Sequence, residues 1–82
     1  MKVGVLGAGL MGKEIARDLV LSKQVAKVGL GNIDLADATA ICNEFSSEKM
    51  TAYEVDANNE KQLANFMKQF DVVVNALFYT FN

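Results

Sequence analysis

Three glycines near the start of the chain carry its clearest chemical signal. Gly7-Ala8-Gly9-Leu10-Met11-Gly12 has the spacing G-x-G-x-x-G, directly after the apolar run Lys2-Val3-Gly4-Val5-Leu6. Alone, such a string is weak. Between a buried strand and the start of a helix, it is the arrangement that cradles a pyrophosphate. Gly7 makes the tight turn, Gly9 lets the backbone approach phosphate because it has no Cβ, and Gly12 lets the helix lie close against the sheet. No Ser, Thr, Asp or Asn stands at the start of that helix. Its first N–H groups therefore lack a side-chain cap. A bound phosphate would supply the missing acceptors and meet the positive end of the helix dipole. The plainer alternative, a turn kept only for packing, explains the glycines but not the uncapped helix.

A dinucleotide site places an acidic side chain about 20 residues further on, against the ribose hydroxyls. Asn32 stands at the expected strand end but is neutral; Asp34 is charged and lies two residues on. Asp34 also reads as the N-cap of the next helix, with Asp37 in its first turn. An amide at Asn32 can hydrogen-bond a diol as well, so both candidates stay open. Residues 30–41 contain no Lys or Arg, whereas Asp34 and Asp37 would repel a 2′-phosphate. The charge balance thus favours NAD over NADP. Asp56 and Ala57 close the third strand at the edge where open α/β sheets bind ligands. Asp56 can accept from an adenine amino group and the Ala57 N–H can donate to the ring, unless Asp56 caps the following helix. Ala76 and Leu77, after Asn75, are small or apolar residues at the end of a fourth strand, where backbone can pass beneath a cofactor. Phe78, Tyr79 and Phe81 read as core side chains, and Cys42 as an inert thiol on a buried helical stripe.

Positioning these residues requires alternating elements. Strands are expected at Met1–Leu6, Val25–Gly31, Thr51–Val55 and from Asp71 to Asn75. Helices are expected from Leu10 to Ser22 (stripe Met11, Ile15, Leu19), from Leu35 to Phe45 (stripe Ala38, Ile41, Cys42, Phe45) and from Glu60 to Phe70 (stripe Leu63, Phe66, Met67, Phe70). Such alternation implies parallel strands joined by right-handed crossovers. The first and fourth strands are continuously apolar, and the third is mixed, as an edge strand is. The expectation is a Rossmann-type α/β fold, strand order 3-2-1-4, with helices on both faces, truncated to the first half of the doubly wound sheet.

The bulk composition narrows the rest. With 82 residues the chain is one domain at most, spanning 1–82 as a dinucleotide-binding fragment. A net charge of −2 and a single arginine, Arg17, give no sign of a nucleic-acid partner. The chain has no histidine and one cysteine, which excludes an internal disulfide, Cys/His metal clusters and histidine acid–base chemistry. The lone thiol fits a reducing, cytoplasmic setting. No apolar run approaches the roughly 20 residues that span a bilayer, and no signal peptide is evident.

Residues 1–19, through the glycine loop to Leu19, and the segment Asp71-Val-Val-Val-Asn-Ala-Leu-Phe78 together resemble the N-terminus of the saccharopine dehydrogenase-like family, with a particular likeness to the bacterial lysine 6-dehydrogenases. The likeness covers essentially the whole chain, and the Val-Val-Asn-Ala-Leu-Phe segment is its more particular part. It implies NAD(P)-dependent oxidation at a carbon–nitrogen bond of lysine or a lysine conjugate, and a Rossmann domain followed by a substrate and dimerisation region. It assigns Gly7, Gly9 and Gly12 to the pyrophosphate, the Asn32/Asp34 region to ribose, Asp56 and Ala57 to adenine, and Ala76 and Leu77 to the nicotinamide side. Asn32 departs from the acid usual there. The family's catalytic residues lie beyond residue 82, so the fragment is expected to bind cofactor without turnover. Two other classes remain: a non-catalytic NAD-sensing module, and a methyltransferase, against which the three-glycine spacing and the lack of an acid in the first strand count. An apolar fourth strand and tail without an outer neighbour further suggest self-association.

Overall fold

The computed structural model describes residues 1–76. In chain order the elements are β1 (Lys2–Leu6), α1 (Leu10–Leu21), β2 (Lys27–Asn32), α2 (Leu35–Phe45), β3 (Met50–Glu54), α3 (Glu60–Met67) and β4 (Val72–Asn75). The four strands form one parallel sheet in the order β3-β2-β1-β4. This is the Rossmann-type order expected from the alternation, with β3 at an edge as its mixed composition implies.

Strand alternation sends side chains to two separate cores. Val3, Val5, Val28, Leu30 and Met50 face α1 and α2, packing with Ala16, Ala38 and Ile41. Leu6 and Val55 face α3 and pack with Phe66, flanked by Tyr53, Leu63, Phe70 and Val73. Helices therefore cover both faces. The α2 stripe is as expected, since Cys42 and Phe45 join Ala38 and Ile41 on that core.

Two stripes differ from the sequence reading. On α1 the residues fully against the sheet are Gly12 and Ala16, with Ile15 and Leu19 beside them, while Met11 is 41% exposed. The smallest residues of the helix, four apart, set the contact because α1 approaches the sheet too closely for larger ones. On α3 the stripe loses Met67, which is 47% exposed, and the helix stops at Met67 rather than Phe70. Beyond it the chain tightens into i→i−3 turns, Gln69 N–H to Phe66 O at 3.2 Å and Phe70 N–H to Met67 O at 3.3 Å. The tightening delivers Asp71 to β1, where Asp71 N–H donates to Lys2 O and Lys2 N–H to Asp71 Oδ2, both at 2.8 Å.

The α3 face also holds an arrangement that the sequence reading passed over. Gly4, Gly29 and Gly31 lie side by side on β1 and β2 beneath the rings of Phe66 and Phe70. A Cβ on Gly29 would overlap the Phe70 ring, and one on Gly4 would stand 2.8 Å from Phe70 Cδ2. Glycine on the strands makes room for a cluster in which Tyr53 meets Phe66 and Phe70 edge-on, with centroids 5.4 and 5.8 Å away. Signals for it were present: glycines two apart at Gly29 and Gly31, and phenylalanines four apart at Phe66 and Phe70.

Candidate functional site at the carboxyl edge of the sheet

The glycine loop leaves β1 through Gly7, whose φ of 106° lies where side chains rarely go. Its N–H is held by Gly31 O at 2.8 Å, which ties the turn to β2. Gly9 occupies the N-cap position of α1, and no side chain caps it. The first helical bond runs from Lys13 N–H to Gly9 O at 2.9 Å. The N–H groups of Leu10, Met11 and Gly12 precede it and form the first turn, the usual anion-binding end of a helix. Gly12 is buried under the loop, and a Cβ there would overlap the carbonyl oxygen of Gly7. Gly7 and Gly12 thus meet distinct geometric demands, while Gly9 sits in ordinary extended backbone.

Beside the loop a cavity of about 470 Å³ opens along the carboxyl ends of the strands. Its walls include Gly7, Asn32, Asp56 and Ala57, all singled out from the sequence, together with Ile33 and Asn75, which were not chosen as ligand contacts. Ile33 had a legible signal. It is an isoleucine at the end of a strand, just before a helix cap, and it is 64% exposed. Such a side chain suits the flat face of a ring.

Asn32 and Asp34 separate in role. The Asn32 amide bridges two loops: its Oδ1 accepts from Ala8 N–H at 3.3 Å and its Nδ2 donates to Asp34 O at 3.1 Å. Asp34 caps α2, its Oδ1 accepting from Ala36 N–H at 2.9 Å, and it does not line the cavity. Asp56 Oδ1 accepts from Asn58 N–H at 2.9 Å in an Asx turn, and Asp56 N–H donates to Gln62 Oε1 at 2.9 Å. The cap of α3 is Asn59, which accepts from Lys61 and Gln62 N–H, so Asp56 is not spent on capping. Ala76 is fully buried, its N–H bonded to Leu6 O at 2.9 Å, beneath Gly12 rather than in the cavity. Leu77 and the aromatic tail Phe78, Tyr79 and Phe81 lie outside the described residues.

Cys42 faces the α1/α2 core, and burial pushes its thiol pKa up, away from the reactive thiolate. Among the described residues there is no cluster of His, Cys, Asp or Glu able to hold a metal ion, and no helix long and apolar enough to cross a membrane.

A four-stranded parallel sheet of order 3-2-1-4, a glycine turn into an uncapped helix and a cavity at the carboxyl edge together define a Rossmann-type domain. The family model described as the saccharopine dehydrogenase NADP binding domain matches residues 3–82, and the chain belongs to that family. A solved structure with the same architecture is apo saccharopine dehydrogenase (L-Glu forming) from Saccharomyces cerevisiae, with a TM-score of 0.78 and 25% identity over 98% of this chain. The chain spans 17% of that structure's length.

Proposed function

We propose that the chain is the nicotinamide-dinucleotide-binding portion of an amino-acid oxidoreductase, and that by itself it binds cofactor without turnover. The observation that carries this reading is a cavity of about 470 Å³ at the carboxyl edge of the sheet that reaches the glycine loop at Gly7, two residues before the uncapped N-cap Gly9 of α1, while Ala8 to Gly12 lie outside its walls. The first-turn N–H groups of Leu10, Met11 and Gly12 are free of side-chain competition for a pyrophosphate. Asn32 retains one amide hydrogen and one lone pair for the adenosine ribose after its two loop bonds. Asp56, Ala57 and Ile33 would hold the adenine. Ala76 and Leu77 belong to the nicotinamide side, where buried Ala76 acts by its small size rather than by contact.

The reaction in this reading is hydride transfer at a carbon–nitrogen bond of lysine or saccharopine. The family membership and the yeast relative's name support that substrate class. When bound, the cofactor supplies the hydride acceptor. The chain's own residues orient it and contribute no acid–base pair, so turnover requires a substrate domain from outside these 82 residues. The single half-buried thiol agrees with a cytoplasmic setting.

Cofactor choice is where local charge and family description point different ways. The family description names NADP. Yet the β2–α2 loop presents Asn32, Ile33 and Asp34, with Asp37 in the first turn of α2, and no cation follows before Lys49. A 2′-phosphate placed there meets carboxylates and no guanidinium or ammonium, and NAD is therefore the proposed cofactor. Parallel titrations with NAD and NADP, read by amide shifts, test this. Saturating shifts across Gly7–Gly12 at lower NAD than NADP are expected. Tighter NADP binding would reverse the cofactor choice, and no shifts with either would remove the binding function from this chain.

A further inference from the structure

We infer that the opposite, amino edge of the sheet carries a second anion site, suited to a small ligand with two or more negative charges. A separate cavity of about 330 Å³ lies there on the α3 face, with Lys2, Lys27, Lys68, Thr51, Tyr53 and Gln69 in its walls. Strand register builds it. Lys2 and Lys27 are direct partners on β1 and β2, so two ammonium-bearing chains leave the same face of adjacent strands. Lys68 follows the last turn of α3 and approaches from above. Tyr53 and Phe70, whose ring rests over Gly29, close it toward the ring cluster.

Like charges on directly paired strand positions are destabilising unless a counter-charge sits between them. Among the described residues none of these lysines is ion-paired, and the salt bridges are Lys13–Glu44 and Arg17–Glu14. The neighbouring acid is Asp71, whose carboxylate is turned to the Lys2 backbone N–H at 2.8 Å. The C-terminal end of α3 adds about half a negative charge. Three ammonium groups against one carboxylate and that half charge leave about one and a half positive charges uncompensated. The helix dipole thus accounts for Lys68 but not for all three. Hydroxyls at Thr51 and Tyr53 add hydrogen-bond donors suited to phosphate or carboxylate oxygens. The cavity's size fits a small polyanion rather than a macromolecule. It lies about 15 Å from the glycine loop, the length of a five-residue strand, and does not depend on cofactor binding there.

The test is titration of the chain with inorganic pyrophosphate and, separately, with citrate, followed residue by residue by amide shifts. Saturating shifts at Lys27, Thr51 and Lys68–Phe70 are expected, as a set distinct from any at Gly7–Gly12. The double variant Lys27→Gln/Lys68→Gln is expected to weaken that set roughly tenfold, at a few-fold per exposed ammonium, and to leave the Gly7–Gly12 set unchanged. Saturation by pyrophosphate alone identifies a phosphate-bearing ligand, and saturation by citrate alone a polycarboxylate. Non-saturating shifts with both, or equal affinity in the double variant, would overturn the site. Absence of shifts at Gly7–Gly12 would bear only on the cofactor reading.

Discussion

At the scale of single residues, the glycines differ in what they protect. Gly12 faces backbone: an added methyl would collide with the Gly7 carbonyl oxygen and stand 3.0 Å from its carbon. Gly29 faces side chains, the Phe70 ring and Tyr53 Cε2 at 2.9 Å, which can rotate away. Gly12→Ala must therefore displace the loop or the whole of α1, whereas Gly29→Ala need only loosen the ring cluster. Overpacking costs about 1–3 kcal/mol, and Gly12→Ala is expected at or above the top of that range, with Gly29→Ala near the bottom. Urea unfolding of both variants measures this; equal losses would mean that α1 moves as freely as a ring. Gly12→Ala is also expected to abolish amide shifts on NAD addition, because the loop it disturbs is the proposed phosphate cradle.

At the scale of elements, the caps separate stability from binding. Asn59 accepts from two N–H groups at the start of α3, a helix of 8 residues. Asn59→Ala is expected to cost about 1 kcal/mol, the usual weight of an N-cap. Asp34→Ala is expected to cost the same at α2, and Asp34→Asn almost nothing, since Asn caps as well as Asp. If Asp34 serves only as a cap, NAD affinity is unchanged in Asp34→Asn. A clear loss of affinity without loss of stability would return the ribose to Asp34. The sequence left these two roles open because strand-end acid and helix cap use the same residue type at the same place. The bond from Asp34 Oδ1 to Ala36 N–H establishes the cap, and the Asp34→Asn titration decides the ribose. Strand order, by contrast, was legible from the alternation of elements and the mixed third strand, although the apolar β4 is itself partly exposed at an edge. The positions of Met11 and Met67 were not, because helical periodicity marks an apolar face without saying how closely it approaches the sheet. The three glycines under Phe66 and Phe70 escaped for the same reason: a glycine in a strand declares its purpose only when its neighbour across the sheet is known.

At the scale of the molecule, the two edge strands of the sheet differ in character. β3 is a mixed edge, while β4 ends the sheet with an apolar sequence and Val72 46% exposed. Among the described residues no strand pairs with the outer side of β4. A free apolar edge is a template for another chain, so concentration-dependent self-association is expected in sedimentation. Val72→Lys, an exposed substitution, is expected to disperse it without unfolding the protein, and a monomer at millimolar concentration would exclude this edge as an interface.

The short chain bears on stability as well. A chain of 82 residues buries a modest share of its surface, so ligand linkage should be a large part of its total stability. A ligand that binds only the folded state adds about 2.7 kcal/mol at one hundred times its Kd. For a domain of this size each kcal/mol moves Tm by about 4–8 °C. Saturating NAD is thus expected to raise the melting temperature by roughly 10–20 °C, and NADP at equal concentration by less. In the Lys27→Gln/Lys68→Gln variant the NAD increment should persist in full, since those lysines stand at the far edge of the sheet from the glycine loop. An increment from NAD that vanished in that variant would place the dinucleotide at the lysines instead of at the loop.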